Sequence, residues 1–133
     1  MKLGIVVSET YWPNITSKML ELAVQTAQEH GAETQITKVP GSFDIPLAVK
    51  KLLKNKSIDG VITLGAVIKG DTDHDGVICY SITPALINLS LEFEKPVVLG
   101  INGPKMTMKQ AEARIQRAEE VTLACIKMIK NTH

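Results

Sequence analysis

Short apolar runs rich in β-branched residues alternate along this chain with longer segments of helical period. The apolar runs cover residues 3–7, 34–39, 59–64 and 96–101. All but 34–39 form continuous apolar stretches, which are typical of strands buried on both faces of a parallel sheet. The alternation of strand and helix predicts parallel strands joined by right-handed crossover connections.

Segments 15–30, 44–55 and 73–92 carry apolar residues at the spacing of amphipathic helices. Two residues mark helix boundaries. Gly31 follows the first segment, where a helix C-terminus favours glycine, and Pro46 stands where a first helical turn favours proline. These segments therefore predict three helices between the strands.

The C-terminal part of the chain predicts one more helix. Thr107 and Gln110 have the spacing of a capping box, which predicts the start of that helix at Thr107. Pro84, inside the preceding helix, predicts a kink there. The apolar stripe of the last helix runs without a break through Ala111, Ile115, Ala118, Thr122, Cys125 and Ile129.

Four strand–helix units fit one domain over residues 1–133. We therefore predict a doubly wound α/β fold: a flavodoxin-like three-layer sandwich. Its parallel sheet has four strands in the order 2-1-3-4, with helices on both faces.

Composition and charge exclude several classes of partner. Hydrophobic residues make up 44% of the chain, charged residues 22%, and the net charge is +1, so neither nucleic acid nor a membrane is predicted as a partner. The N-terminal apolar run is too short for a membrane span, and no signal-peptide pattern follows it, so we expect a cytoplasmic protein. Cys79 and Cys125 lie in apolar contexts and are predicted to be buried, reduced thiols.

The predicted fold also locates the ligand, because open α/β sheets bind ligands outside the carboxyl ends of their strands. Here those ends lead into residues 8–14, 39–44, 69–75 and 102–107. Of the three histidines, only His74 lies in one of these loops. The candidate functional residues are therefore sought there.

Several side chains in these loops admit a functional and a structural interpretation. Tyr11 and Trp12 either stack on a planar heterocycle or cover the first helix. Ser42 and Asp44 either bind a ligand or cap the second helix. Arg114, near the apolar stripe of the last helix, either binds a phosphate or is a surface charge.

The stretch Gly70-Asp71-Thr72-Asp73-His74 opens the third helix. Backbone N–H groups and a hydroxyl at such a position suit a phosphate, and an imidazole suits proton transfer near neutral pH. A solvated helix start is the structural alternative. Carboxylates beside a histidine also suit a metal, but no matched ligand spacing occurs elsewhere, so no metal is predicted. Asp73 and Asp75 either favour the helix N-terminus or interact with the imidazole of His74.

Together these pieces resemble the lumazine synthase family. The matching text is "VPGSFDIPLAVKKL" at 39–52, "GAVIKGDTDH" at 65–74, "KPVVLGI" at 95–101 and "QAEAR" at 110–114, with "NIT" at 14–16. "GPKMT" and the acid after Gly70 resemble the archaeal branch most. The resemblance implies a cofactor-free condensation of 5-amino-6-ribitylaminouracil with 3,4-dihydroxy-2-butanone 4-phosphate. The product is 6,7-dimethyl-8-ribityllumazine, in the penultimate step of riboflavin biosynthesis.

The resemblance implies a role for each predicted site residue. Tyr11, with Trp12 beside it, would stack on the pyrimidine, His74 would be the catalytic histidine, and Leu99 would contact the neighbouring subunit's site. The pyrimidine and ribityl chain would be bound by Ser42, Phe43, Asp44, Ala66, Val67 and Ile68. The phosphate would be bound by Gly70, Asp71, Thr72 and Arg114.

The chain also departs from the family pattern. Asp71 puts an acid beside the expected phosphate, where many bacterial members have a small residue. Many members have a lysine after the arginine, but none occurs here between Arg114 and Lys127, and Arg117 is the candidate substitute. Leu99 stands where many members have phenylalanine.

The resemblance implies a homopentamer with sites shared between neighbours, which in the family can assemble further into a sixty-subunit capsid. Apolar residues over more than one face of the first and third helices favour an oligomer as well, because a monomer would expose a large apolar patch. Two other functions stay open: an archaeal-type riboflavin synthase, against which the histidine spacing argues, and a non-catalytic flavin- or lumazine-binding protein.

Overall fold

The computed structural model describes Met1–His133 and confirms the predicted α/β fold. Four parallel strands form one sheet in the predicted order β2-β1-β3-β4. In the sheet, Ile5 of β1 lies between Ile36 of β2 and Ile62 of β3. The strands are β1 (Lys2–Ser8), β2 (Glu33–Val39), β3 (Gly60–Ile68) and β4 (Val97–Met106).

Helices cover both faces of the sheet. The first, fourth and fifth helices pack on one face, and the second and third pack on the other. A π-helical turn, Trp12–Thr16, leads into the first helix, and a 3₁₀ turn, Ser42–Asp44, leads into the second. The helices are α1 (Ser17–Glu29), α2 (Ile45–Leu53), α3 (His74–Phe93), α4 (Met108–Glu112) and α5 (Arg117–Thr132).

The continuous apolar runs are strands that are buried on two sides, as predicted. Alternate residues of a strand point to opposite faces. Ile5 and Val7 therefore pack with α1 and α5, whereas Val6 packs with α2 and α3, and all three are fully buried. Each such side chain contributes about 1.5–3 kcal/mol of burial free energy.

Local sequence signals set the helix ends as predicted. Gly31 has φ 74°, a conformation that favours glycine, and Ala32 N donates to Ala27 O at 2.9 Å to close a Schellman motif. Thr107 Oγ1 accepts from Gln110 N at 3.1 Å, and Gln110 Oε1 accepts from Thr107 N at 3.0 Å. The predicted capping box is therefore confirmed.

Three predicted boundaries are wrong. β3, predicted over residues 59–64, extends to Ile68, and the other two errors lie after the predicted β4. Residues 102–106, predicted as a loop, continue β4, because β3 extends to Ile68 and supplies them with a partner strand. The last segment, predicted as one helix, is divided into α4 and α5 at residues 113–116. By contrast, α3 is one helix through Pro84, and the kink there stays a prediction.

Asn102 explains the division of the last helix. Its side chain is fully buried, and its Nδ2 donates to the carbonyls of Ala111 and Arg114, each at 3.3 Å. Within the turn, Arg114 N donates to Ala111 O and Arg117 N donates to Arg114 O, both at 3.1 Å. These bonds join residues three apart rather than four, so the α-helix ends and Asn102 satisfies the remaining capacity of both carbonyls.

Candidate active site at the carboxyl ends of the strands

A cavity of about 320 Å³ opens at the carboxyl ends of the strands, where the fold predicts a ligand. Its walls come from the loops after β1 and β2, the end of β3 and the start of α3. The lining residues are Thr10, Tyr11, Gly41, Ser42, Phe43, Ala66, Val67, Ile68, Gly70, His74, Asp75 and Ile78. Seven of the predicted substrate-binding residues and the predicted catalytic histidine therefore line one cavity.

Hydrogen bonds between backbone segments hold the loops after β1 and β2 together. Glu9 N donates to Val39 O at 2.8 Å, and Thr10 Oγ1 donates to Pro40 O at 3.0 Å. Asp44, predicted to bind the ribityl chain, accepts from Gly41 N through Oδ2 at 3.0 Å. Its exposed carboxylate stabilises the loop and lies outside the cavity lining.

The structure separates the two aromatic candidates. Tyr11 lines the cavity and has φ 61°, a left-handed conformation that is rare for a residue with a side chain and concentrates at functional sites. Trp12 lies outside the lining, and the ammonium of Lys38 sits 4.3 Å from its ring centroid. A cation–π contact of this kind uses the ring face that a substrate would need. Of these two candidates, Tyr11 is therefore the one on the cavity wall.

Ser42 is the polar residue whose environment most clearly points to a ligand. Its side chain is only 6% exposed, it lines the cavity, and its Oγ has no hydrogen-bond partner. A Cβ at Gly65 of β3 would lie 2.7 Å from this oxygen, so glycine leaves the room that the hydroxyl occupies. Buried polar atoms in native proteins are nearly always paired, so an unpaired one on a cavity wall invites a ligand partner.

The end of β3 offers unpaired backbone. β1 pairs with β3 only as far as Leu64, so Ala66, Val67 and Ile68 have no strand partner on that side. The pairing with β4 is also irregular between Ala66 and Ile68. Such irregularities are frequent next to active sites, where they leave N–H and C=O groups for a ligand.

His74 and Asp75 begin α3 but have different environments. His74 is exposed on the cavity wall, whereas Asp75 is buried and its Oδ2 accepts from Lys105 N at 2.8 Å. This bond holds the pKa of Asp75 below its ordinary value of 3.8; burial opposes the shift, and the backbone N–H groups of Gly76 and Asp75 support it. The acid thus joins the start of α3 to the end of β4.

The remaining residues of the predicted phosphate loop lie at the rim. Gly70 lines the cavity, whereas Asp71 and Thr72 are exposed and lie outside the lining. Asp73 lies just before α3, and its side chain makes no capping hydrogen bond. No group of three or more histidine, cysteine, aspartate or glutamate side chains is arranged to hold a metal ion.

Four lining residues were not predicted. Thr10 and Gly41 lie in loops that the strand pattern had marked, so their positions, though not their contacts, could be inferred. Ile78 lies one helical turn after His74, which puts it on the same face of α3. Asp75 also lies in a marked loop, but its partner Lys105 is 30 residues away and could not be inferred.

Arg114 and Leu99, both predicted for the site, lie outside the cavity. Arg114 is exposed in the turn between α4 and α5, where its Nη1 donates to Gln110 O at 3.1 Å. Leu99 is 38% exposed on β4 and lines a second cavity of about 120 Å³. Other residues of that second cavity include Cys79, Tyr80 and Ile101.

A stripe of exposed apolar residues runs along α3 and reaches this second cavity at Tyr80. Val77, Tyr80, Ile87 and Leu91 are all more than half exposed, and Leu91 reaches 70%. By length and composition α3 could cross a membrane, but Cys79, Ile82 and Leu86 on its other side are buried against the sheet. The exposed stripe thus belongs to a helix packed in a globular domain, and a contiguous apolar surface of this kind marks an interaction site.

Burial also fixes the chemistry of the two cysteines. Both are free and buried, as predicted. Burial raises the pKa of the Cys125 thiol to about 12. Burial, and to a lesser extent the charge of Asp75, raises the pKa of Cys79. Neither thiol is therefore a ready nucleophile at neutral pH.

Comparison with known proteins places the whole chain among named relatives. A family model described as 6,7-dimethyl-8-ribityllumazine synthase matches residues 1–133. A protein of that name from Picrophilus torridus is 51% identical over 131 residues, covering 98% of this chain and 96% of the relative. Proteins of the same name from Methanococcus vannielii and Methanopyrus kandleri are each 47% identical; they cover 98% of this chain and are themselves covered to 93% and 92%.

Proposed function

The chain belongs to the 6,7-dimethyl-8-ribityllumazine synthase family, transferases of riboflavin biosynthesis, and on that premise we propose how its cavity carries out the reaction. The cavity binds 5-amino-6-ribitylaminouracil and joins it to 3,4-dihydroxy-2-butanone 4-phosphate. One observation carries the assignment of the site: the ring of Tyr11, the unpartnered hydroxyl of Ser42 and the imidazole of His74 line the same cavity.

The uracil is bound by the cavity wall at the ends of β1, β2 and β3, which we call the uracil wall. It consists of Tyr11, Ser42, Phe43, Ala66, Val67 and Ile68. Tyr11 stacks on the pyrimidine, and the free backbone edge of Ala66, Val67 and Ile68 hydrogen-bonds to its polar rim. Ser42 Oγ binds a hydroxyl of the ribityl chain and thereby gains the partner that it lacks in the free protein. Phe43, which is 66% exposed at the mouth, covers the bound chain.

His74 moves the protons that the condensation requires. The 5-amino group of the uracil attacks the ketone, and one water leaves to form an imine. Loss of a proton from carbon then expels inorganic phosphate. The ribitylamino nitrogen attacks the carbonyl that remains, and a second water leaves as the ring closes. A neutral imidazole accepts a proton in these steps and its conjugate acid returns one. Much of the acceleration comes from holding two reactive substrates together, so proton transfer adds to an already favourable arrangement.

The phosphate is bound at the Gly70 rim by the backbone at the start of α3, by Thr72 and by Arg114. Because Arg114 lies outside the cavity lining of its own protomer, we place it in the site of the neighbouring protomer. Leu99 contacts the same neighbouring site. Arg117 supplies the second cation that many relatives provide with lysine.

This arrangement requires a ring of protomers, and we propose a homopentamer. The exposed stripe on α3 and the small cavity beside Leu99 supply the apolar surface for such an interface. Native mass spectrometry at concentrations where the enzyme is active should give five times the monomer mass, or sixty times if pentamers form a capsid. A monomer at those concentrations would contradict the proposal.

A single assay tests the function. The purified protein is incubated with both substrates, and the fluorescence of the lumazine product is followed. Fluorescence should rise only when both substrates are present. Consumption of added lumazine would instead indicate a riboflavin synthase, and binding of lumazine without turnover would indicate a carrier.

We also propose a cytoplasmic location, since the two buried, free cysteines suit a reducing compartment.

A further inference from the structure

We propose that Asn102 is a positioning residue for Arg114, so that a buried amide on β4 sets the geometry of phosphate binding. Asn102 lies outside the cavity lining and is absent from the set predicted from sequence. The inference rests on the proposed function, including the role of Arg114, and its test is designed so that the inference can fail while lumazine formation stands.

The first observation is that Asn102 contacts the backbone of Arg114 itself. Its Nδ2 donates to Arg114 O and to Ala111 O, each at 3.3 Å, from a side chain with no exposed surface. Ala111 lies near the end of α4, and Arg114 lies in the turn that divides α4 from α5. A continuous α-helix would pair their carbonyls with N–H groups four positions ahead. Here the N–H groups three positions ahead pair with them, and Asn102 is the second donor to each.

The second observation is that stability alone does not explain an asparagine here. Its Oδ1 is buried and has no hydrogen-bond partner. An unpartnered buried oxygen destabilises the fold, and an apolar side chain of similar shape would avoid it. Asn102 thus stabilises the turn between α4 and α5 at the cost of an unpaired buried oxygen. Local costs of this kind are expected where a functional geometry is maintained.

The third observation is that the rest of the turn transmits this constraint to the guanidinium. Arg114 Nη1 donates to Gln110 O at 3.1 Å, so the side chain is held by α4 while the main chain is held by Asn102. α4 is in turn bonded to the segment after Tyr11, because Asn14 Nδ2 donates to Glu112 Oε1 at 3.0 Å. The Asn14–Glu112 bond does not depend on Asn102. Loss of the Asn102 contacts should therefore displace the Arg114 guanidinium while α4 and the uracil wall stay in place.

The test is Asn102→Leu, which keeps the approximate shape and removes both hydrogen bonds. We expect the KM for the phosphorylated ketone to rise about tenfold, because small displacements of a binding group are costly. The KM for the uracil and the kcat at saturating ketone should stay within about twofold of wild type. Amide hydrogen exchange should quicken at residues 114–118 and stay unchanged in β1.

Thr63→Val is the matched control. Thr63 is also fully buried, and its Oγ1 makes two comparable bonds, donating to Val98 O at 2.7 Å and accepting from Gly100 N at 3.3 Å, but it does not contact the turn. It should lose stability without changing the ketone KM. If Asn102→Leu does not fold, Asn102→Ser, which is smaller and cannot reach the carbonyls, should show the same selective rise.

Equal losses for both substrates, or an unchanged ketone KM in both Asn102 variants, would overturn the inference while leaving the proposed function intact. A wild-type protein that forms no lumazine would instead overturn the function and the inference with it. If Thr63→Val also raises the ketone KM selectively, the rise in the Asn102 variants is explained by lost stability. That result also contradicts a positioning role.

Discussion

Most residues predicted for the uracil line the cavity of a single protomer, whereas most of those predicted for the phosphate lie outside its lining. Tyr11, Ser42 and His74 line one cavity of a single protomer, although they are spread over the first three strand ends. Arg114 and Leu99 lie outside that cavity. The fold of one chain is therefore sufficient to form the uracil wall, and we infer that the phosphate side is completed by a second copy.

The largest effect should come from His74, the proposed catalytic residue in the cavity of a single protomer. His74→Ala should fold, assemble and bind the uracil but turn over about 10- to 1,000-fold more slowly, because proton transfer is lost while proximity is kept. Steady-state rates of lumazine formation measure this effect. His30→Ala is the matched control. His30 lies at the end of α1, where its Nδ1 is 2.9 Å from Thr26 O, and it does not line the cavity, so its loss should leave turnover unchanged. Wild-type turnover in His74→Ala would show that His74 takes no part in the proton transfers.

A smaller and more selective effect should come from the phosphate side. Arg114→Ala should raise the KM of the phosphorylated ketone by roughly 10- to 150-fold, the equivalent of one charge-assisted hydrogen bond. Binding of the uracil, measured by fluorescence titration, should change little. Lys109→Ala removes an exposed cation from the neighbouring α4 and should change neither constant. Equal losses for both substrates would mark Arg114 as structural.

Ser42→Ala should weaken uracil binding by about 2- to 10-fold, the value of one neutral hydrogen bond. Because Ser42 Oγ has no partner in the free protein, the substitution should not lower the melting temperature. Calorimetric unfolding and the uracil KM together check this combination. A clear loss of stability would mean that the hydroxyl is already paired, which would weaken the case for a ribityl contact.

Asp75→Asn should produce the smallest effect, and it should depend on pH. The pKa of Asp75 is lower in the folded protein than its ordinary 3.8, so its stabilising contribution is complete above that value and is lost as the pH falls through the lowered pKa. The difference in melting temperature between wild type and Asp75→Asn should be constant from pH 7 to about pH 5 and shrink below 3.8. A difference independent of pH would contradict the assigned cause.

Sequence reasoning succeeded where the deciding interactions are local. The ends of α1 and α4 depend on Gly31 and on the Thr107–Gln110 pair, whose partners lie within a few residues. The strand order and the cavity follow from alternation of strands and helices, a rule that needs no knowledge of individual contacts. These features could therefore be predicted from one sequence.

It failed where contacts join distant parts of the chain. The division of the last helix depends on Asn102, which reaches carbonyls 9 and 12 residues away. The contact between Lys38 of β2 and the Trp12 ring also joins residues that are far apart in the sequence, and no sequence pattern indicated it. The position of Arg114 in the turn between α4 and α5 depends on the same division of the last helix. No periodicity or capping pattern encodes such contacts, because they arise only when the elements pack.

Mixing subunits tests the shared site most directly. His74→Ala and Arg114→Ala chains are combined in equal amounts, dissociated and reassembled, and assayed at a ketone concentration far below the KM of the arginine variant. If each site takes its histidine from one protomer and its arginine from the next, about a quarter of the sites in a random ring regain both groups, and activity should rise towards that fraction of wild type. If both residues serve the site of their own protomer, no mixed ring contains an intact site. Activity that stays at the average of the two variants would contradict the account.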